Sequence, residues 1–169
     1  MDQLIYRTAI KSDLKQLQQL GLIAYGQFKQ EITHENWVKW EQGFKTDSNF
    51  LNLLDISTCF VCELNHEIVG MAFFIPNGNP FLFFPATWSY IRYVGVNPAY
   101  GGKGIGKKLT QQCLEAAKER GERVIALHTA EFQNAARNIY EGLGFIKIKD
   151  LDLIYGKQYY LYTFEIKQL

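Results

Sequence analysis

The sequence predicts one mixed α/β domain rather than a doubly wound parallel sheet. Three observations carry this: strand-type runs outnumber helical ones, two of them face each other across an Asn65-His66 turn, and one strand–helix–strand unit spans Trp88 to Thr129. The chain has 169 residues, 47% of them hydrophobic and 21% charged, the size and composition of one ordinary globular unit. A single domain over residues 1–169 is therefore expected.

The elements follow in order. Leu4 to Arg7 is a short strand. Ser12 or Asp13 can cap a helix whose apolar stripe runs Leu14, Leu17, Leu20. A second helix lies between Thr33 and Phe44 and carries Trp37 and Trp40. Thr58 to Leu64 and Glu67 to Ile75 form the hairpin. Asn77-Gly78-Asn79-Pro80 is a loop, and the β-branched and aromatic run Trp88 to Val96 is a strand ended by Asn97-Pro98. From Gly104 the period becomes helical, through Ile105, Leu109, Cys113 and Ala116/Ala117, until Gly121 supplies the stop. Val124 to Thr129 is a strand and Asn134 to Gly142 a short helix. Phe145 to Lys149 and Gln158 to Ile166 close as strands.

Charge and composition exclude several functions. Eighteen Lys and Arg against seventeen Asp and Glu leave a net charge of +1, which argues against general nucleic-acid binding. No run approaches the ~20 apolar residues of a membrane span, Pro76, Pro80 and Pro85 breaking the longest ones. The start of the chain lacks the basic segment and apolar run of a signal peptide, and three cysteines suggest reduced thiols, so a cytoplasmic protein is expected. Cys59 and Cys62 are formally a Cys-x-x-Cys pair, with His66 nearby. On a strand, an odd separation sends the two thiols to opposite faces, so neither a zinc nor a redox site is expected.

The most informative stretch runs Val94-Gly95-Val96-Asn97-Pro98-Ala99-Tyr100-Gly101-Gly102-Lys103-Gly104-Ile105-Gly106-Lys107-Lys108. A strand enters a glycine-dense turn, and the turn opens a helix. Glycines let main-chain amides approach a ligand closely, and a helix N-terminus attracts anions. Lys103, Lys107 and Lys108 add positive charge. The local chemistry is that of a phosphate or pyrophosphate site, a plain tight turn being the competing reading. A P-loop would need a Ser or Thr where Lys108 stands, so a nucleoside-triphosphatase is disfavoured. The order Gly102-Lys103-Gly104-Ile105-Gly106 is likewise out of register with a dinucleotide fingerprint.

The stretch resembles the acyl-CoA-binding motif of the GNAT superfamily of N-acyltransferases, through Val94, Val96, Pro98, Tyr100, Gly102, Gly104, Ile105 and Gly106. Gly101 stands where Arg or Gln is usual. A second part of the pattern resembles the segment Leu127 to Phe145, with Ala136, Tyr140, Gly144 and Phe145 in register and Gln133 where Asn is usual. The resemblance implies a mixed, mostly antiparallel central sheet flanked by helices. It implies an acetyltransferase that moves an acetyl group from acetyl-CoA to a primary amine of a small molecule or peptide, by direct attack in a ternary complex and without a metal. A CoA-binding module of the same fold, with weak or no catalysis, is the alternative. Dimers are common among such proteins, which leaves a homodimer open.

By the same resemblance, Val94, Gly95 and Val96, the turn residues Gly101, Gly102, Lys103, Gly104, Ile105, Gly106 and Lys107, and then Gln133, Asn134, Ala136 and Asn138 would bind the coenzyme. The main chain at Val94 or its neighbours would face the thioester oxygen, and Tyr140 would be the general acid at the departing sulfur. Tyr140 as a core aromatic is the competing reading. No Asp or Glu lies between Phe81 and Tyr100, and Tyr90 falls about where a general base would sit, which leaves a water chain, Glu131 or His128. The chain is 15% aromatic. Trp37, Trp40, Trp88, Tyr90 and Arg92 are candidates for the acceptor side, with Arg92 suited to a carboxylate; packing in a core or a dimer interface explains the aromatics as well.

Overall fold

The computed structural model describes residues 2–168. Its elements are β1 (Ile5–Thr8), α1 (Leu14–Gly26), α2 (His34–Lys45), α3 (Asp47–Ile56), β2 (Thr58–Leu64), β3 (Glu67–Ile75), β4 (Ser89–Val96), α4 (Ile105–Glu119), β5 (Val124–Ala130), α5 (Asn134–Leu143), β6 (Ile146–Asp150) and β7 (Tyr159–Glu165). The strands form one sheet in the order β1-β2-β3-β4-β5-β7-β6. Every pairing is antiparallel except that of β4 with β5, which α4 connects. The expected mixed sheet, mostly antiparallel and flanked by helices, is therefore present.

Local signals explain most boundaries. Asn65 and His66 both adopt positive φ (49° and 66°), the conformation a two-residue hairpin needs. Thr33 caps α2 by accepting the Asn36 amide at 3.2 Å. Gly121 (φ 72°) and Gly144 (φ 104°) end α4 and α5, and after α5 the Phe145 amide returns to the Tyr140 carbonyl at 3.0 Å.

Two details differ from the sequence expectation. Asp13 precedes α1, but its carboxylate makes no cap bond to that helix. It accepts the Ile10 amide (2.8 Å) and both Nη groups of Arg7 (2.8 and 3.0 Å). The Arg7 hydrogen bonds hold the Asp13 carboxyl below the usual range, against the opposing effect of burial. Between α2 and β2 lies α3, which the sequence reading passes over; it buries Phe50 and Leu53 at i, i+3 spacing.

The sheet is covered on both faces, so its interior strand β3 is apolar almost throughout. One core layer joins Leu17, Leu20, Trp40, Phe44 and Phe50 of α1–α3 to Val61, Met71 and Phe73. The other joins Ile105, Leu109 and Cys113 of α4 and Tyr140 of α5 to Cys62, Ala72 and Phe74. Cys59 and Cys62 accordingly belong to opposite layers, and all three cysteines are buried free thiols. No helix among the described residues is long and apolar enough to cross a membrane.

Candidate functional site

The site begins where β4 departs from regularity. Met71 pairs with Gly95 and Phe73 with Arg92, so two steps along β3 face three along β4. The extra residue is a bulge, and Tyr93 takes φ 51°, uncommon for a bulky side chain. Side-chain parity flips across it: Ile91 and Val94, three residues apart, pack in the same layer. On its other side β4 pairs with β5 only at Ser89↔Ile125 and Tyr90↔Ala126. Beyond Tyr90 the two strands part, leaving a cleft through the sheet.

The glycine turn closes one end of that cleft. Asn97 accepts the Ala99 amide (3.0 Å) and gives its own amide to the Val69 carbonyl (2.9 Å), which fixes the exit from β4. Gly102 and Gly104 both adopt φ 75°, a region that favours glycine. The Lys108 amide bonds back to the Gly104 carbonyl at 3.0 Å, and the turn amides just before it have no main-chain acceptor among the described residues. They form an uncommitted donor cluster at the start of a 15-residue helix, whose dipole favours an anion there. Gly70 of β3 lets α4 sit this low: a Cβ there would fall 2.6 Å from the Ile105 side chain.

From this turn a cavity of about 650 Å³ runs to Tyr140. Val94, Gly95, Val96, Gly101, Gly102, Gly104, Ile105, Gly106 and Lys107 line it, as do Gln133, Ala136 and Asn138 from the start of α5. Two residues expected with them lie outside. Lys103 points to solvent, and Asn134 is exposed with its Oδ1 held by Arg137 at 2.8 Å. Gln133 has a defined orientation instead: its Oε1 accepts the Ala130 amide (2.8 Å) and the Thr129 hydroxyl (2.9 Å), leaving its NH2 end. The end of α1 and the residues just after it contribute Ala24, Tyr25, Gln27 and Phe28, which no sequence motif marks.

A second cavity of about 260 Å³ adjoins the first, and Tyr25, Val94, Gln133, Ala136 and Tyr140 line both. Tyr140 is buried, its hydroxyl has no hydrogen-bond partner among the described residues, and burial raises its pKa well above the ordinary phenol value. Tyr25, also buried, donates its hydroxyl to the Val94 carbonyl at 3.3 Å.

Of the acceptor-side candidates, Trp40 and Arg92 line the second cavity, while Trp37, Trp88 and Tyr90 line neither. Tyr90 is buried, stacks on Phe84 (4.4 Å) and donates to the Asn79 carbonyl (2.8 Å). Trp37 packs edge-on against Trp40, and Trp88 joins the core around α1–α3. His128 lines the second cavity, and its Nδ1 is buried without a hydrogen-bond partner. Burial, and secondarily the Arg92 charge, lowers its pKa from 6.5 to about 4. Glu131 is exposed and lines neither cavity. Among the described residues no group of three or more His, Cys, Asp or Glu could hold a metal ion.

Comparison with known proteins agrees with this architecture. The family model for the acetyltransferase (GNAT) family matches residues 27–145. An uncharacterized N-acetyltransferase of Methanocaldococcus jannaschii is 30% identical over 149 residues, covering 82% of this chain and 59% of that protein. The chain spans about half the length of the curated relatives it matches. Among solved structures, the PaiA N-acetyltransferase of Thermoplasma acidophilum, in complex with coenzyme A, superposes with a TM-score of 0.76 at 14% identity, over 97% of this chain and 99% of that one. YncA, a putative acetyltransferase of Salmonella typhimurium with acetyl-CoA, gives 0.67 at 19% identity, over 98% and 95%. Likeness at that identity concerns the fold.

Proposed function

This chain belongs to the acetyltransferase (GNAT) family, and we propose that it transfers an acetyl group from acetyl-CoA to a primary amine held in the second cavity. The observation that carries this reading is the junction of two cavities at Val94 and Tyr140, one reaching back to the glycine turn and the other to Arg92 and His128. Direct transfer needs two ligands to meet at one point, and a cleft with two arms supplies it.

The coenzyme fits the larger arm on local chemistry. The uncommitted amides before Lys108, together with the Lys107 charge, suit a diphosphate. The unpaired edge of β4 beyond Tyr90 can take the amide-rich pantetheine arm as an added strand. Gln133, with its carbonyl already engaged, offers its NH2 to the same arm. When bound there, acetyl-CoA supplies the activated acyl group.

In the transfer, the amine nitrogen bonds to the acetyl carbon as the carbon–sulfur bond breaks. The nitrogen gives up one proton and the sulfur gains one, leaving an amide and a free thiol. Main-chain N–H at Val94 or its neighbours faces the thioester oxygen as it gains charge. Tyr140, kept protonated by burial, donates to the departing sulfur. Burial makes the phenol a weaker acid than a thiol of pKa ~8.5, so Tyr140 steadies the departing sulfur by a hydrogen bond and yields its proton only as the one released by the nitrogen replaces it.

With a pKa near 4, His128 is a poor base toward an ammonium of pKa about 10. The acceptor instead gives its proton to solvent on entering a largely aromatic cavity that is lined by no Asp or Glu to hold an ammonium. Thermal unfolding tests the reading: acetyl-CoA at a hundredfold excess over its Kd raises Tm by roughly 5–10 °C, ATP–Mg²⁺ does not, and thiol release follows when amines are added. A shift with ATP–Mg²⁺ alone would overturn it.

A further inference from the structure

Resting on that reading, we infer that the acceptor is a small amine bearing a carboxylate, an α-amino acid with an apolar side chain, and that Arg92 is the carboxylate's partner. The second cavity contains no Asp or Glu, and Arg92 is its only fixed charge. Arg7, half-buried as well, shows the contrast: it bridges Asp13 and Glu63 at 2.8 Å each. Arg92 has no carboxylate within ion-pair distance among the described residues.

Its geometry is that of a prepared receptor. The guanidinium lies over the rings of Phe81 (4.3 Å) and Tyr93 (4.8 Å), which fixes its plane. One donor, Nη2, is spent on the Tyr93 hydroxyl at 3.2 Å. Nε and Nη1 have no acceptor among the described residues, and Nη2 keeps its second N–H, which completes a two-donor fork with one of them of the kind a carboxylate takes up. The rest of the wall is aromatic, with Trp40 stacked on Tyr155 at 5.3 Å. That surface suits an apolar side chain and offers nothing to a polyamine, whose second cation would face Arg92 without a counter-ion. At about 260 Å³ the cavity has room for a single amino acid rather than a folded peptide segment.

The test uses L-phenylalanine, L-leucine, phenylalaninamide and 2-phenylethylamine, with two readouts: calorimetric binding to the CoA-saturated protein, and acetyl-CoA-dependent thiol release. The free amino acids are expected to bind roughly 10- to 100-fold more tightly than the amide or the decarboxylated amine. Arg92→Gln should bring the ligands within about threefold of one another, and Arg92→Lys should restore part of the gap; circular dichroism confirms that both variants fold. Preferential binding without thiol release would support a carboxylate site at Arg92 and sink the transfer reading, the acceptor role with it. Thiol release that is indifferent to the carboxylate would sink the acceptor assignment and leave transfer standing. No binding of either amino acid, or a preference for the amide as a peptide N-terminus would show, also overturns the assignment.

Discussion

The hydroxyl of Tyr25 on α1 is hydrogen-bonded to the main-chain carbonyl of Val94 at 3.3 Å, one residue past the bulge of β4. This contact joins the first helix to the strand whose main chain faces both cavities. Tyr25 is itself packed among Trp40, Phe44 and Tyr93, so its position is fixed from three sides. Burial holds its pKa well above the ordinary phenol value, and it stays a donor across the working pH range.

Tyr25→Phe should therefore leave the fold intact, at a cost of about 1 kcal/mol in stability. Because Val94 would lose the bond that sets its peptide plane, the maximal acetylation rate should fall roughly tenfold. Chemical denaturation and initial-rate kinetics check the two halves. An unchanged rate would place Val94 under the control of the bulge alone.

Tyr140→Phe removes the hydroxyl that opens onto the cavity junction and keeps the ring that packs against Phe145. The expected result is a maximal rate lowered by about 10²-fold, with acetyl-CoA affinity almost unchanged. Steady-state rates and calorimetry separate the two. Thiol release at the wild-type rate would remove Tyr140 from the chemistry.

Gly70→Ala tests the seat of the glycine turn from a distance. The new methyl would lie 2.6 Å from Ile105 and 3.0 Å from Leu109, and both are buried, so α4 must lift from the sheet. A loss of about 1–3 kcal/mol is expected, with weaker coenzyme binding in the same variant, because Ile105 is also the first residue of the helix under the turn. Thermal unfolding with and without CoA reports both.

For His128 the folded pKa of about 4 lies below the unfolded value of about 6.5. The unfolded chain therefore binds the extra proton first as pH falls. This group's effect on stability is absent above pH 6.5 and becomes a growing loss down to pH 4, of up to about 3 kcal/mol. By proton NMR its imidazole should not titrate between pH 8 and 5. Arg92→Gln, which removes the second cause of the shift, should move the titration upward. A midpoint near 6.5 in the parent protein would contradict a neutral ring held with its Nδ1 buried.

Much of the site was legible because its signals are local. A glycine that needs positive φ, a proline at the strand exit and a helical period starting at Gly104 act over a few residues, and the turn follows from them. The placing of Ala136 and Tyr140 on one side of α5 is equally local, since helical spacing alone fixes it. Lys103 and Asn134 mark the limit: adjacency in sequence put them with the site, but the direction each side chain takes is set by neighbouring turns.

By itself, the sequence determined the mixed sheet, the glycine turn and the helix bearing Tyr140, because each is dictated by short-range backbone preference and hydrophobic period. Only the tertiary structure decided the bulge at Tyr93, the parting of β4 from β5, the bond from Tyr25 to Val94 and the isolation of Arg92 from any carboxylate among the described residues. Those features depend on which strands pair and on which charges lie within reach across the sheet. Contacts between residues far apart in the chain exist only once the whole core has packed.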